Sequence, residues 1–307
     1  MTYYITGDCH RNFDKVVRFC QINKTTKEDV MIILGDAGIN LALDEADKKI
    51  KRKLQSLPIS FFMVHGNHEE RPELIDGYIT KVWNNGVIYY EKEFSDLLFA
   101  KDGEIYEFDG KKVVVIGGAY SVDKEIRLLC RRPWFESEQP SAEIKAYVEQ
   151  NLDKNQWEVD YVLSHTCPLK YEPTDLFLRD VDQSKVDKST EEWLSIIANK
   201  LSYKLWYFGH YHDNRVYSTG IMLYEEIREL CTNKIVQRVG RPKYKMGQWV
   251  SFDFNDGKKN VEKYGRIAIV DAYGSFSHPQ VVSYDIEEAN ELILYKHIPE
   301  TDVFGLI

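Results

Sequence analysis

The chain has 307 residues, 43% of them apolar, and a formal net charge of −9. Such a composition supplies the core of one large domain plus a small one, and the acidic balance argues against bulk attraction to nucleic acid or anionic lipid. No apolar run approaches the ~20 residues of a membrane-spanning helix, and "MTYYITGDCH" lacks the basic region and long apolar stretch of a signal peptide, so a cytoplasmic location without a membrane partner is expected.

The first of six short apolar runs is "YYITGDCH", and "VMIILGDAG", "SFFMVHGNHEE", "VVVIGGAYS", "YVLSHTCP" and "LWYFGHYHDN" follow it. Each is rich in β-branched and aromatic residues and breaks into polar residues, with a glycine in all but "YVLSHTCP", which predicts strands buried on both faces. Between them Phe13 to Gln21, Ala42 to Leu57, Ser141 to Asn151 and Ser189 to Leu201 read as helices. Ser189 and Glu192 have capping-box spacing at the start of the last. Strands alternating with helices predict an α/β layered domain over residues 1–230.

Residues 231–242, with their basic residues, Gly240 and Pro242, read as a linker. Residues 243–307 read as a small all-β domain, a barrel or half-barrel whose strands are joined by Asp-Gly and Tyr-Gly turns. Trp249, Phe252, Phe254 and Tyr264 are its expected core. The tail has three open roles: capping an active site, docking a protein partner, or self-association.

Five of the six predicted strand ends carry side chains suited to divalent metals: Asp8 and His10, Asp36, Asn67 and His68, His165, and His210 and His212. In open α/β sheets ligand sites gather at the carboxyl ends of strands, so these residues should converge. In extended chain, residues i and i+2 point to one side, which groups Asp8 with His10 and His210 with His212 and turns Cys9 and Tyr211 inward. The donors are oxygen and imidazole nitrogen without a thiolate, a set for manganese, iron, zinc or a mixture. There are more of them than one such ion needs, and two ions bridged by Asp36 is the economical solution.

The ordered set "GDCH", "GDAG", "GNHE", "SHTCP" and "GHYH" resembles the calcineurin-like metallophosphoesterases over residues 1 to about 225. The resemblance implies a layered α/β/β/α sandwich and hydrolysis of a phosphate ester by direct attack of a hydroxide held by the two metals. It implies Asp8, His10, Asp36 and His212 at one metal and Asp36, Asn67, His165 and His210 at the other. His68 is implied to ligate nothing and to sit beside the phosphoryl group, where it either protonates the leaving oxygen or stabilises the developing charge. The tetrad "GNHE" is shared with phosphoprotein phosphatases, yet "GDAGIN" lacks their Asp-Arg-Gly, so the acid that would orient His68 is missing from its usual place.

Two arginines are candidate substrate contacts, Arg11 directly after His10 and Arg127 in "GGAYSVDKEIRLLCRRPW"; Arg131 and Arg132 read as solvated surface. The five cysteines, Cys9, Cys20, Cys130, Cys167 and Cys231, are odd in number and scattered, and read as free thiols without a catalytic role. The preferred substrate is a phosphomonoester, phosphoproteins included. The alternatives are a phosphodiester or nucleic acid cut at the same two-metal site, and a non-catalytic binding module.

Overall fold

The computed structural model describes residues 1–177, 181–237, 242–255, 260–272, 282–288 and 293–306. All six expected strands are present: β1 (Tyr3–Thr6), β2 (Val30–Ile33), β3 (Ser60–Met63), β8 (Lys111–Ile116), β9 (Tyr161–Ser164) and β10 (Leu205–Phe208). They alternate with the four expected helices, α1 (Asp14–Asn23), α2 (Glu45–Gln55), α4 (Ala142–Lys154) and α5 (Ser189–Lys200). Unforeseen are the short helix α3 (Lys124–Leu129) and the strands β4 (Tyr78–Trp83), β5 (Gly86–Glu91), β6 (Leu97–Ala100) and β7 (Ile105–Phe108). Four further short strands, β11 (Arg215–Val216), β12 (Gly220–Met222), β13 (Ile227–Glu229) and β14 (Ile235–Gln237), also went unpredicted.

Two sheets result, one of eight strands in the order β14-β13-β1-β2-β3-β6-β5-β4 and one of six in the order β11-β12-β10-β9-β8-β7. Strict alternation sorts their side chains. Val30, Ile32 and Leu34 of β2 and its exit pack with Val113, Val115, Tyr161 and Leu163 of the second sheet in one shared core. Met31 and Ile33 instead face Val16, Phe19 and Leu54 of α1 and α2. Val114, Ile116 and Val162 likewise face Val148, Leu194 and Ile197 of α4 and α5. The layers are therefore helix, sheet, sheet, helix, and each central strand is buried on both faces as its continuous apolar run requires. Because β1, β2 and β3 run parallel, as do β8, β9 and β10, their carboxyl ends gather on one edge.

The capping box expected at Ser189 is not formed. Ser189 lies inside the first turn of α5, and its hydroxyl donates to Gln139 Oε1 (3.4 Å). Asp187 accepts the Ser189 N–H instead (2.9 Å), a carboxylate being well suited to the positive end of a helix.

The chain divides into two units, Met1–Val236 and Gln237–Ile307. Part of the expected linker is strand β14, an edge of the larger sheet, while residues 238–241 lie outside the described residues. The second unit is one antiparallel sheet ordered β18-β17-β16-β15-β19, where β15 is Trp249–Asn255, β16 Asn260–Asp271, β17 Ser283–Glu288, β18 Leu294–Pro299 and β19 Val303–Leu306. Both dipeptide turns expected there lie outside the described residues. Val250, Phe252, Ile267 and Tyr284 form its core with Phe254 at the margin. Trp249 and Tyr264 are exposed, contrary to expectation, because the pleat places them on the face opposite Phe252. No helix among the described residues is long and apolar enough to cross a membrane.

Trp206 of β10 is fully buried and its indole N–H donates to Ser164 Oγ (2.7 Å). Trp206→Ala should lower unfolding free energy by about 3–5 kcal/mol in urea melts; a loss below about 1 kcal/mol would show that this layer is not close-packed.

Candidate metal centre

The ligand-type residues do converge, but on loops past the strand ends. His10, Asp36, His210 and His212 all have left-handed backbone, with φ of 44°, 47°, 67° and 53°. The same-side argument from extended chain is therefore corrected: Asp8 and His10 meet, as do His210 and His212, because the chain turns. Such conformations cost of order 1–3 kcal/mol each in a non-glycine residue and persist where the surroundings over-determine them.

Asp8 is the centre of one group. Its Oδ1 accepts the His210 N–H (2.8 Å), while Oδ2 is buried without a hydrogen-bond partner. His212 Nε2 and His10 Nε2 stand 3.3 and 3.6 Å from Oδ2, and those two ring nitrogens are 2.8 Å apart. Burial alone would raise the Asp8 carboxyl, yet the two imidazoles hold it well below the usual carboxylate range. A second group surrounds Asn67. His165 Nδ1 donates to the Leu34 carbonyl (2.8 Å), and in the neutral tautomer that this bond selects Nε2 carries a lone pair facing Asn67 Oδ1 at 2.7 Å. His210 Nδ1 approaches the same oxygen at 3.1 Å, and burial pushes His210 down to about 3, so it is a neutral donor.

Asp36 lies between the groups. Its Oδ2 is 3.8 Å from His10 Nδ1 and its Oδ1 is 3.8 Å from His165 Nε2. Carboxylate oxygens, the Asn67 side-chain oxygen and ring nitrogens thus crowd together on both sides of Asp36, an arrangement that a cation on each side would satisfy. Asp8, His10 and His212, and separately Asp8, Asp36 and His165, offer donor atoms within 4.8 Å of one another.

Backbone proximity makes this possible. A Cβ on Gly66 would lie 2.1 Å from both Asp36 N and Asp36 Oδ1, and Gly35, at φ +91°, admits the His165 ring. Glu69, the last residue of "GNHE" and given no role by the sequence pattern, is fully buried and accepts the N–H groups of Gly38 (3.0 Å), Ala37 (3.3 Å) and Gly66 (3.4 Å). It ties the second motif to the third. Buried Lys15 does the same for the first, donating to the carbonyls of Gly7 (3.1 Å), Asp8 (2.8 Å) and Tyr224. Ser121 accepts from Asn67 Nδ2 (2.8 Å), which fixes the amide so that Oδ1 faces the histidines. Nothing in the sequence pattern marks Lys15 or Ser121.

His68 is set apart from the ligand groups, with its Nε2 3.9 Å from Asp36 Oδ2 and 3.3 Å from Arg127 Nη2. Burial lowers its basicity, Asp36 opposes this, and Arg127 adds to it. Asp123 accepts from Arg127 Nε (2.7 Å) and so holds the arginine at the histidine. Arg11 is placed elsewhere: its Nη1 donates to Asp47 Oδ1 (2.7 Å) and the Gly38 carbonyl (3.2 Å), which commits it to bracing the loop before α2. Cys9 and Cys167 are buried, and burial pushes the Cys9 thiol up to about 11 and Cys167 well above its usual range, so neither is a nucleophile. A cavity of about 330 Å³ opens from Asp36, Asn67 and His68 and is walled in part by Glu172, Leu176, Phe177, Val181, Lys188 and Glu191.

Residues 1–214 match the family model for calcineurin-like phosphoesterase. The chain belongs to that family, whose members hydrolyse phosphate esters with a two-metal centre. Among solved structures, TT1561 of Thermus thermophilus is 10% identical with a TM-score of 0.44, over 76% of this chain and 97% of that one. The phosphopantetheinyl hydrolase PptH from Mycobacterium tuberculosis is 13% identical with a TM-score of 0.35, over 73% and 88%. These likenesses are too distant to bear on substrate. No curated protein matches the chain.

Gly66→Ala should weaken divalent metal binding by about 10–100-fold in calorimetric titrations, because the added methyl displaces Asp36; unchanged affinity would remove Asp36 from the centre. A second expectation concerns pH. Burial raises the Glu191 carboxyl from 4.5 to about 7, so the folded chain holds a proton there that the unfolded chain has released. Its contribution to stability is greatest below pH 4.5 and falls as pH rises to about 7, by an amount of order 3 kcal/mol. Glu191→Gln should therefore gain stability over wild type between pH 5 and pH 8 in thermal melts, and a difference independent of pH would contradict the shift.

Proposed function

We propose that the chain is a phosphomonoesterase, with Asp8, His10, Asp36 and His212 holding one divalent ion and Asp36, Asn67, His165 and His210 the other. When bound, the ion pair supplies Lewis acidity, activating water and withdrawing charge from phosphoryl oxygens. The observation that carries the monoester reading is the pairing of His68, which lines the cavity beside Asp36, with Arg127, whose Nη2 lies 3.3 Å from His68 Nε2. A monoester dianion has three unsubstituted oxygens to satisfy, and a guanidinium fork suits them. The acidic wall of the cavity disfavours a long polyanion such as nucleic acid.

Each residue then has a task. Asp36 accepts the His68 N–H on Oδ1 (2.9 Å), which fixes the backbone that presents the imidazole. His68 Nε2 delivers the proton to the leaving oxygen. The phosphate's own charge, arriving beside the ring, raises its affinity for that proton against the effects of burial and Arg127. Asp123 keeps Arg127 aimed, and Ser121 keeps Asn67 from rotating its amide nitrogen toward His165.

The test compares a chromogenic phosphomonoester, a chromogenic phosphodiester and nucleic acid with the metal-reconstituted protein. The monoester should be cleaved with the highest kcat/KM; preference for the diester or nucleic acid would replace this reading, and no turnover of any would favour a binding module. His68→Asn should lower kcat by about 10²–10⁴-fold with metal content by elemental analysis unchanged. Loss of metal in that variant would make His68 a ligand.

A further inference from the structure

Resting on the phosphoesterase reading, we propose that the cavity beside His68 is a subsite for a leaving group with a small apolar body and an ammonium, and that Glu191 recognises that cation.

Glu191 sits in the first turn of α5, is 5% exposed, and lines the cavity. Its Oε1 accepts from Thr166 Oγ1 (2.7 Å), whereas Oε2 is buried with no hydrogen-bond partner among the described residues. An ionised carboxylate left this way is costly, and burial accordingly pushes it up to about 7. A cation arriving from the cavity would supply the missing partner.

Apart from one oxygen of Asp123, the other Asp, Glu and Lys side chains of the wall are already matched. Lys188 Nζ is 3.0 Å from Glu172 Oε2, which removes the cation that could have answered Glu191 or welcomed a second anion. Asp187 accepts from Ser189 N (2.9 Å) and Gln139 Nε2 (3.0 Å). Asp123 is spent on Arg127 through Oδ2, and its Oδ1 is also buried without a partner. Among the described residues, the buried side-chain atoms of this wall left without a hydrogen-bond partner are thus two carboxylate oxygens, and what they call for is a charged donor. Between these polar points Val122, Leu176, Phe177, Val181 and Tyr211 supply an apolar and aromatic surface. At about 330 Å³ the space is at the small end of ligand cavities and suits a compact group.

Tyramine and 4-propylphenol test this, since they match in size and differ by an ammonium in place of a methyl. In calorimetric titrations of the metal-loaded full chain, tyramine should bind at least about tenfold more tightly, the effect expected of one buried charge-assisted hydrogen bond. Glu191→Gln, which keeps the shape, should reduce the ratio below about threefold while retaining a cooperative melt. Equal binding to wild type overturns the subsite, and a ratio that survives in Glu191→Gln overturns the assignment to Glu191. The phosphate esters of the same phenols separate the two readings. If tyramine is preferred but neither ester is cleaved, the subsite stands and the phosphoesterase reading falls; if both esters are cleaved with equal kcat/KM and both phenols bind equally, the reverse holds.

Discussion

Asp36 constrains everything around it. Its backbone is left-handed, its Oδ1 accepts the His68 N–H, and its peptide lies so close to Gly66 that no side chain fits there. One carboxylate therefore fixes the position of the residue assigned to the proton as well as the meeting point of the two ligand groups. This coupling explains why glycine must precede Asn67: the third strand has to exit against the second at backbone contact, or Asn67 and His68 could not both reach Asp36. The same requirement recurs at Gly209, whose absent Cβ would lie 2.3 Å from Asp8 Oδ1.

Such closeness stores unfavourable energy, and the fold has to offset it. Four of the assigned ligands hold left-handed backbone, and several acceptor oxygens and ring nitrogens face one another. The restraint comes from behind the site. Glu69 gathers three N–H groups of two motifs, Lys15 gathers three carbonyls, and the Leu34 carbonyl orients His165 across from one sheet to the other. Beneath them lie strands packed on both faces, a rigid base against which loops can be held out of their preferred conformations.

What was legible in the sequence follows from this division. Central strands announce themselves because double burial demands unbroken apolar runs, and five of the six end in a ligand-type residue, so fold and ligand set could be read together. The outermost strands β4 and β7 carry exposed positions such as Lys81 and Glu107, and β5 beside β4 is only half-buried over most of its length, so none of them gives such a signal. Lys15 and Ser121 were invisible because their partners are backbone atoms and a single amide brought close only by tertiary structure. Arg11 shows the converse error: adjacency to His10 suggested a substrate contact, but a buried aspartate 36 residues away had the stronger claim on it. The pleat, not composition, decided which aromatics of the second unit were buried.

The charge distribution around the cavity gives the centre a direction. Four acidic residues, Asp123, Glu172, Asp187 and Glu191, stand along the wall with Lys188 the only cation among its described lining. An anion approaching a chain with a net charge of −9 would be repelled until the positive charge of ions held by the ligand groups dominated locally. In the proposed reading, field and shape would act at opposite ends of one molecule, the phosphoryl group drawn to the metals and Arg127, its remainder toward the unpartnered oxygens of Asp123 and Glu191. A second phosphate on the leaving group would face those carboxylates without a counterion. Discrimination against it would come from an unmet charge as much as from attraction of the correct group, which is the more economical way for a small pocket to be selective.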